Sequence, residues 1–186
     1  MQIETTSLPG VLLIKPRIFH DDRGRFFESF QAKRYAEHGV SLNFVQDNIS
    51  YSQKGTLRGL HYQLLHPQGK LVSVLQGKVL DVAVDIRLGS PTFGRYFACE
   101  LSDENHNQLY IPPGFAHGFY VLSEEVCFHY KCTDYYQPQD ERGIAWNDSA
   151  LDIPWPLSEP PVLSPKDKLY VPLKATPIEQ LPRMNP

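Results

Sequence analysis

From Asn43 onward, apolar and polar positions alternate with period two, broken by Gly, Asn, Asp or Ser, at the spacing of a β-sandwich or barrel. The alternation is fullest over 79–88. Leu80, Val82, Val84, Ile86 and Leu88 share one face, while Val79, Asp81, Ala83, Asp85 and Arg87 share the other. One side of this strand is expected to meet a core and the other something polar, either a barrel interior or a wet surface. Residues 71–76, 97–101, 108–111, 118–122 and 126–130 are read as further strands. Gly77-Lys78 predicts a type II′ hairpin between 71–76 and 79–88. Earlier in the chain, Val11-Leu12-Leu13-Ile14 closed by Pro16 reads as a strand, and 20–24 as a turn before 25–30, which makes an N-terminal β arm. Residues 31–38, with Gly39 beyond them, are the one short helix expected. From Asp152 on, Pro154, Pro156, Pro160, Pro161 and Pro165 exclude regular structure, with Trp155 and Leu157 expected to pack back on the body.

Composition turns this pattern into a class. The 186 residues suit one domain over 1–186, with 1–30 as the arm and 150–186 as a proline-rich C-terminal segment. Sixteen prolines argue against long helices, so the class is all-β. A formal charge of −3 leaves no reason to expect nucleic acid or an anionic membrane as partner, and any anionic ligand needs locally clustered Arg, Lys and His. Cys99, Cys127 and Cys132 are an odd count without a CxxC pair, which speaks against a disulfide framework and a thiolate zinc site and fits a reducing cytoplasm. Residues 11–14 are too short an apolar run for a signal peptide or membrane span.

Candidate chemistry concentrates in 54–63, where Arg58, His61 and Gln63 follow Gly55 within one apolar strand. Buried groups of this kind are costly unless they face a ligand. Gly55 and His61 keep the spacing of a first cupin motif, and Pro112-Pro113-Gly114-Phe115-Ala116-His117 keeps that of the second. Gln63 stands where the second His of a metal-binding cupin would be, and Lys70 where its carboxylate would be. An ammonium in place of an anionic ligand removes the charge that holds a divalent cation, so no metal is expected. It suits an anion instead, such as an enolate or phosphate. Position alone also suits a lysine that starts a strand at the surface. Strict alternation sends Arg58 to the face opposite His61, so Gly59 is expected to mark a bulge, or Arg58 the strand mouth. His20, His38, His66 and His106 fall in turn or helix-end contexts and are read as solvated. Phe128, Tyr130 and Cys132 share one face of their strand, His129 and Lys131 the other.

Together these motifs resemble the dTDP-4-dehydrorhamnose 3,5-epimerase family. The matching stretches are Asp22 to Phe30, Phe44 to Asn48, Arg58 to Gln63, Gln68 to Val72, Asp81 to Arg87, Pro113 to Phe119, Tyr130 to Tyr136, Ile144 to Asp148 and Leu163 to Asp167, in the family's order over about residues 8–170. The resemblance implies a cupin-like jelly roll without metal or cofactor. It also implies a dTDP-4-keto-6-deoxy sugar substrate and a homodimer whose N-terminal arms pass to the partner. It further implies His61 as general base, Asp167 as its orienting carboxylate, Tyr130 as the acid on the opposite face and Lys70 beside the developing enolate. Arg23, Glu28, Gln46, Asp47, Asn48, Arg58, Lys70, His117, Glu141 and Lys166 become substrate contacts, Arg23 and Glu28 reaching the partner's site. His129 stands where relatives carry an aliphatic residue, and alternation turns it outward. The alternatives are a C3-only or C5-only epimerase, a keto-isomerase, which is expected to lack Tyr130, and a non-catalytic nucleotide-sugar-binding cupin.

Overall fold

Short turns between period-two segments favour antiparallel pairing, and the computed structural model, which describes residues 1–40 and 43–184, pairs all its strands that way. One sheet runs β1 (Gln2–Thr5), β2 (Leu12–Lys15), β10 (Gln108–Ile111), β7 (Lys70–Gln76), β12 (Glu125–Cys132), β5 (Gln46–Gln53). The second runs β13 (Glu141–Gly143), β6 (Leu57–Gln63), β11 (Phe115–Val121), β8 (Lys78–Asp85), β9 (Tyr96–Ser102). A separate hairpin joins β3 (Phe19–Asp21) to β4 (Gly24–Phe26) within the span expected as an arm, whereas β2, expected in that arm too, pairs with β10 in the first sheet. The helix α1 is shorter than expected, Ala32–Ala36. Its Tyr35 is fully buried with Ile14, Leu71 and Tyr110 on the outer face of the first sheet. The fold is all-β, a cupin-like jelly roll.

Between the sheets lie Val72, Val74 and Phe128 from one side and Val79, Ala83, Phe115 and Phe119 from the other. Both faces of β8 are buried, which alternation alone did not decide. Its apolar set, Val82 and Val84 with Leu80, is roofed by Ile144, which follows β13, and by Leu151, Leu173 and Leu181 of the C-terminal segment. The polar-bearing face, with Asp81 fully buried, turns into the barrel. The tail follows an irregular path with 3-10 turns at Leu173–Ala175 and Ile178–Gln180. Trp155 packs as expected and its Nε1 donates to the Trp146 carbonyl at 2.9 Å, but Leu157 stays exposed. Residues 185 and 186 of the proline-rich segment, and 41 and 42 before β5, lie outside the described residues.

The expected hairpin at Gly77-Lys78 does not form. β7 pairs with β10 and β12, while β8 pairs with β11 and β9 in the other sheet. Gly77 does take the positive φ of a turn glycine, +83°, but such a φ serves a corner between sheets as well as a hairpin. A side chain there would collide with the Glu125 carbonyl.

Gly59 does mark the bulge that Arg58 required. The β11–β6 register shifts between His117 and Phe119, Gly59 has φ +136°, and a Cβ on it would stand 2.6 Å from the Gly118 Cα. Gly59→Ala is therefore expected to destabilise the fold by about 2–4 kcal/mol, through a disfavoured φ and a backbone clash. A urea midpoint equal to that of the unaltered protein would disprove this account of the bulge.

Candidate active site

β6 and β11 lie side by side, and their register sets His61 directly opposite His117. Each imidazole meets its own buried carboxylate. His61 Nε2 lies 2.6 Å from Asp167 Oδ1, and His117 Nε2 lies 2.9 Å from Asp81 Oδ2. Asp167 reaches His61 from the C-terminal segment, 106 residues away, in a turn whose Ser164 hydroxyl accepts from the Asp167 amide at 3.2 Å. The facing sheet supplies the opposite wall. Lys70 opens β7 and pairs in register with Cys132, Tyr130 lies two residues back on β12, and Asn48 of β5 stands opposite Tyr130.

These walls enclose a cavity of about 200 Å³. His61, Lys70, Tyr130 and Asp167 line it together with Arg58, His117, Glu141 and Lys166, so eight residues expected at the site share one space. A second lobe of about 160 Å³ adjoins it, bounded by Asn48, Gln68 and Tyr136 and sharing His61, Lys70, Tyr130 and Glu141. Gln46 stands at the edge of this lobe, where its Oε1 accepts from the Tyr136 amide at 3.0 Å and its Nε2 donates to Asn48 Oδ1 at 3.0 Å.

The charges inside are tuned by burial and by one another. Burial pushes the Lys70 ammonium below its usual range, with Cys132, Asp81 and Glu141 opposing. Burial raises the Tyr130 phenol, helped by Cys132 and resisted by Arg58. Burial also works to raise Asp167 and Glu141, but each ends below the ordinary carboxylate range. Asp167 is held down by the hydrogen bond and charge of His61 with Ser164 and Lys166, and Glu141 chiefly by Lys166 and Tyr136. Lys166 Nζ sits 2.7 Å from both Glu141 oxygens, and Tyr136 donates to the same carboxylate at 2.9 Å. An ammonium, a phenol and an imidazole thus share a semi-enclosed space, an arrangement able to serve proton abstraction beside a carbonyl.

Three expected contacts are not in this chain's cavity. Asp47 lies on the outer side of its strand. Alternation along β5 turns Gln46 and Asn48 inward and Asp47 outward, where it binds Lys131 at 2.7 Å and faces His129 at 3.6 Å. Arg23 and Glu28 sit on the arm side. Arg23 is highly exposed and paired with Asp21 at 2.6 Å, and Glu28 is paired with Arg34 at 2.7 Å. His106 is corrected, since it is 8% exposed and stacks on Phe27 with ring centroids 4.4 Å apart. Gln63, at the second metal-ligand position of a cupin, is engaged structurally. Its Nε2 donates to the His66 and Tyr135 carbonyls at 2.7 and 3.2 Å, and its Oε1 accepts from the Gln137 amide at 2.7 Å. Among the described residues no three His, Cys, Asp or Glu side chains are grouped to hold a metal.

Ser50, Phe119, Phe128 and Ser164, which line the cavity, and Tyr136 of the second lobe are outside the set of site residues expected from the sequence. Ser50 and Phe128 were within reach of strand periodicity, being in phase with Asn48 and Tyr130 on their strands. Ser164 and Tyr136 lie on loops, where no periodicity reports direction.

The family model for dTDP-4-dehydrorhamnose 3,5-epimerase matches residues 5–175. A Pseudomonas aeruginosa protein of that name is 53% identical over 169 residues, 90% of this chain and 93% of its own. A crystal structure of dTDP-6-deoxy-D-glucose-3,5-epimerase from Legionella pneumophila, in complex with dTDP-4-keto-L-rhamnose, superposes with a TM-score of 0.97 at 56% identity, covering 100% of this chain and 99% of that one. A 3'-monoepimerase from Streptomyces bikiniensis, in complex with dTDP-quinovose, has a TM-score of 0.90 at 32% identity and covers 96% of this chain and 91% of that one.

Proposed function

Because the chain belongs to the dTDP-4-dehydrorhamnose 3,5-epimerase family, we propose that it inverts C3 and C5 of dTDP-4-dehydro-6-deoxy-D-glucose to give dTDP-4-dehydro-L-rhamnose, a step of dTDP-L-rhamnose biosynthesis. The observation that carries the mechanism is the pair His61 and Tyr130 on opposite walls of one cavity with Lys70.

Hydrogens on C3 and C5 are weakly acidic because the C4 ketone can take up the charge as an enolate. With Nε2 of His61 held by Asp167, the base that remains is Nδ1. Asp167 then steadies the imidazolium formed when Nδ1 takes the proton. Lys70 supplies positive charge to the oxygen that becomes anionic. Return of a proton from Tyr130, on the facing sheet, inverts the carbon, whereas return from His61 restores it. Arg58, Lys166 and His117, with Gln46, Asn48 and Glu141 toward the second lobe, hold the sugar nucleotide.

In this reading residues 1–186 are one domain, and of the arm over 1–30 the part that serves a neighbour is the β3–β4 hairpin, since β1 and β2 belong to this chain's own first sheet. Among the described strands β3 and β4 pair only with each other, and Phe19 and Phe26 are 51% and 70% exposed. Ile49, Tyr51 and Leu75 leave further apolar surface open. A homodimer that exchanges arms would cover such surfaces and carry Arg23 and Glu28 to the other subunit's cavity. No described helix is long and apolar enough to cross a membrane, and three free cysteines accord with a cytoplasmic setting.

Incubation with dTDP-4-keto-6-deoxyglucose in deuterium oxide tests the function by NMR. Label at both C3 and C5 with inverted product is expected. Label at one carbon makes the protein a mono-epimerase, an activity that the Streptomyces protein of the same fold is named for, and no label leaves a binding protein. In the same assay Tyr130→Phe is expected to keep proton abstraction while lowering inversion about 10²-fold, the scale of one general acid. Unchanged inversion would remove Tyr130 from the mechanism.

A further inference from the structure

His117 and Asp81 form a second imidazole–carboxylate pair, and the chemistry of its two ends differs from that of the first. Asp81 is fully buried on the inward face of β8. Its two carboxylate oxygens lie 3.1 and 2.9 Å from one atom, His117 Nε2, and among the described residues they have no other partner. Both oxygens converge on that one nitrogen, which is the geometry of a single N–H shared between two acceptors and so points to a proton on Nε2. The other ring nitrogen, Nδ1, has no hydrogen-bond partner among the described residues and is not among the sealed polar atoms, while the ring as a whole borders the cavity.

We propose that Asp81 is a positioning residue that locks His117 in its Nε2–H tautomer, so that Nδ1 offers a lone pair to the cavity and selects a ring hydroxyl of the substrate. The inference rests on the nucleotide-sugar reading and deepens it. Nδ1 in this state cannot donate, which excludes the ketone and the diphosphate as its partners because both only accept. Of the sugar and diphosphate groups that could reach Nδ1 beside Lys70 and His61, a hydroxyl is the one that donates. Polarity is thereby divided, with Lys70 serving the ketone oxygen and His117 a hydroxyl, and the hexose can lie in one orientation. Burial also pushes His117 below the usual imidazole range, although Asp81 opposes it, in keeping with a neutral ring.

Nitrogen-15 NMR of the unaltered protein near pH 7 is expected to show His117 neutral with its proton on Nε2. An imidazolium or a proton on Nδ1 overturns the proposal, and this measurement needs no variant. In Asp81→Asn the carboxamide can donate to Nε2 and drive the proton to Nδ1. That variant is expected to show the reversed tautomer and to lose about 10- to 100-fold in kcat/KM, as for a buried hydrogen bond turned to a mismatch, with its Kd for dTDP within about twofold of the parent. A reversed tautomer with unchanged kcat/KM overturns the selecting role. If the unaltered protein fails to bind dTDP, the nucleotide-sugar reading falls and the hydroxyl selection with it, while the tautomer result still reports what Asp81 does.

Discussion

His61→Ala is expected to abolish deuterium uptake at C3 and at C5 together and to lower kcat by about 10³-fold, the middle of the range for removing a general base. Both carbons flank one ketone, and the cavity holds one imidazole whose Nε2 is bound to the mostly buried Asp167. The shared loss separates a single base from two. Exchange retained at either carbon would show that another group abstracts that proton. His117, directly across the strand pair, would be the first candidate. Binding of dTDP should survive, because the ring removed serves the sugar end of the ligand.

Lys70→Met carries the second large effect, and it has two opposed readouts. Loss of the charge beside the enolate should lower kcat about 10²- to 10³-fold, as for removal of one oxyanion donor. The fold should become more stable. Burial holds the Lys70 pKa below that of a free lysine, which means that the folded state disfavours the ammonium relative to the unfolded chain. That cost is present at pH values below the folded pKa and fades as pH rises through it toward the unfolded value near 10.5. Methionine has a similar length and no charge, so it escapes the cost at neutral pH. A raised melting temperature with a lowered kcat is expected, the trade of stability for chemistry common at active sites. A lower melting temperature would mean that Lys70 stabilises the barrel, and undiminished kcat would place the enolate charge elsewhere.

The cavity was legible in the sequence where strand periodicity carried it. His61, Arg58 with its bulge at Gly59 and the shared face of Tyr130 and Phe128 followed from spacing and alternation, because side chains on a strand have only two directions, whereas motif spacing flagged Lys70 and His117 and left their direction open. The same rule, applied to β5, separates Asp47 from Gln46 and Asn48. Resemblance had joined all three as one motif, since a matched motif says nothing about which face each residue takes. Asp167 came from resemblance alone, for nothing local marks a carboxylate on a proline-rich loop as the partner of an imidazole 106 residues earlier.

What the sequence determined by itself is the class of structure and the kind of chemistry. Period two with frequent turns permits little but antiparallel sheet, and a cation where a cupin keeps a metal ligand directs the site toward anions. Tertiary structure decided which strands pair, because a glycine with positive φ at Gly77 suits a hairpin and a corner equally and only the competition among long-range partners separates them. It likewise decided that both faces of β8 are buried. Hydrophobicity along a strand is a local property, but the tail that roofs Val82 and the barrel that encloses Asp81 arrive from distant chain, and their contacts exist only once the sheets have closed.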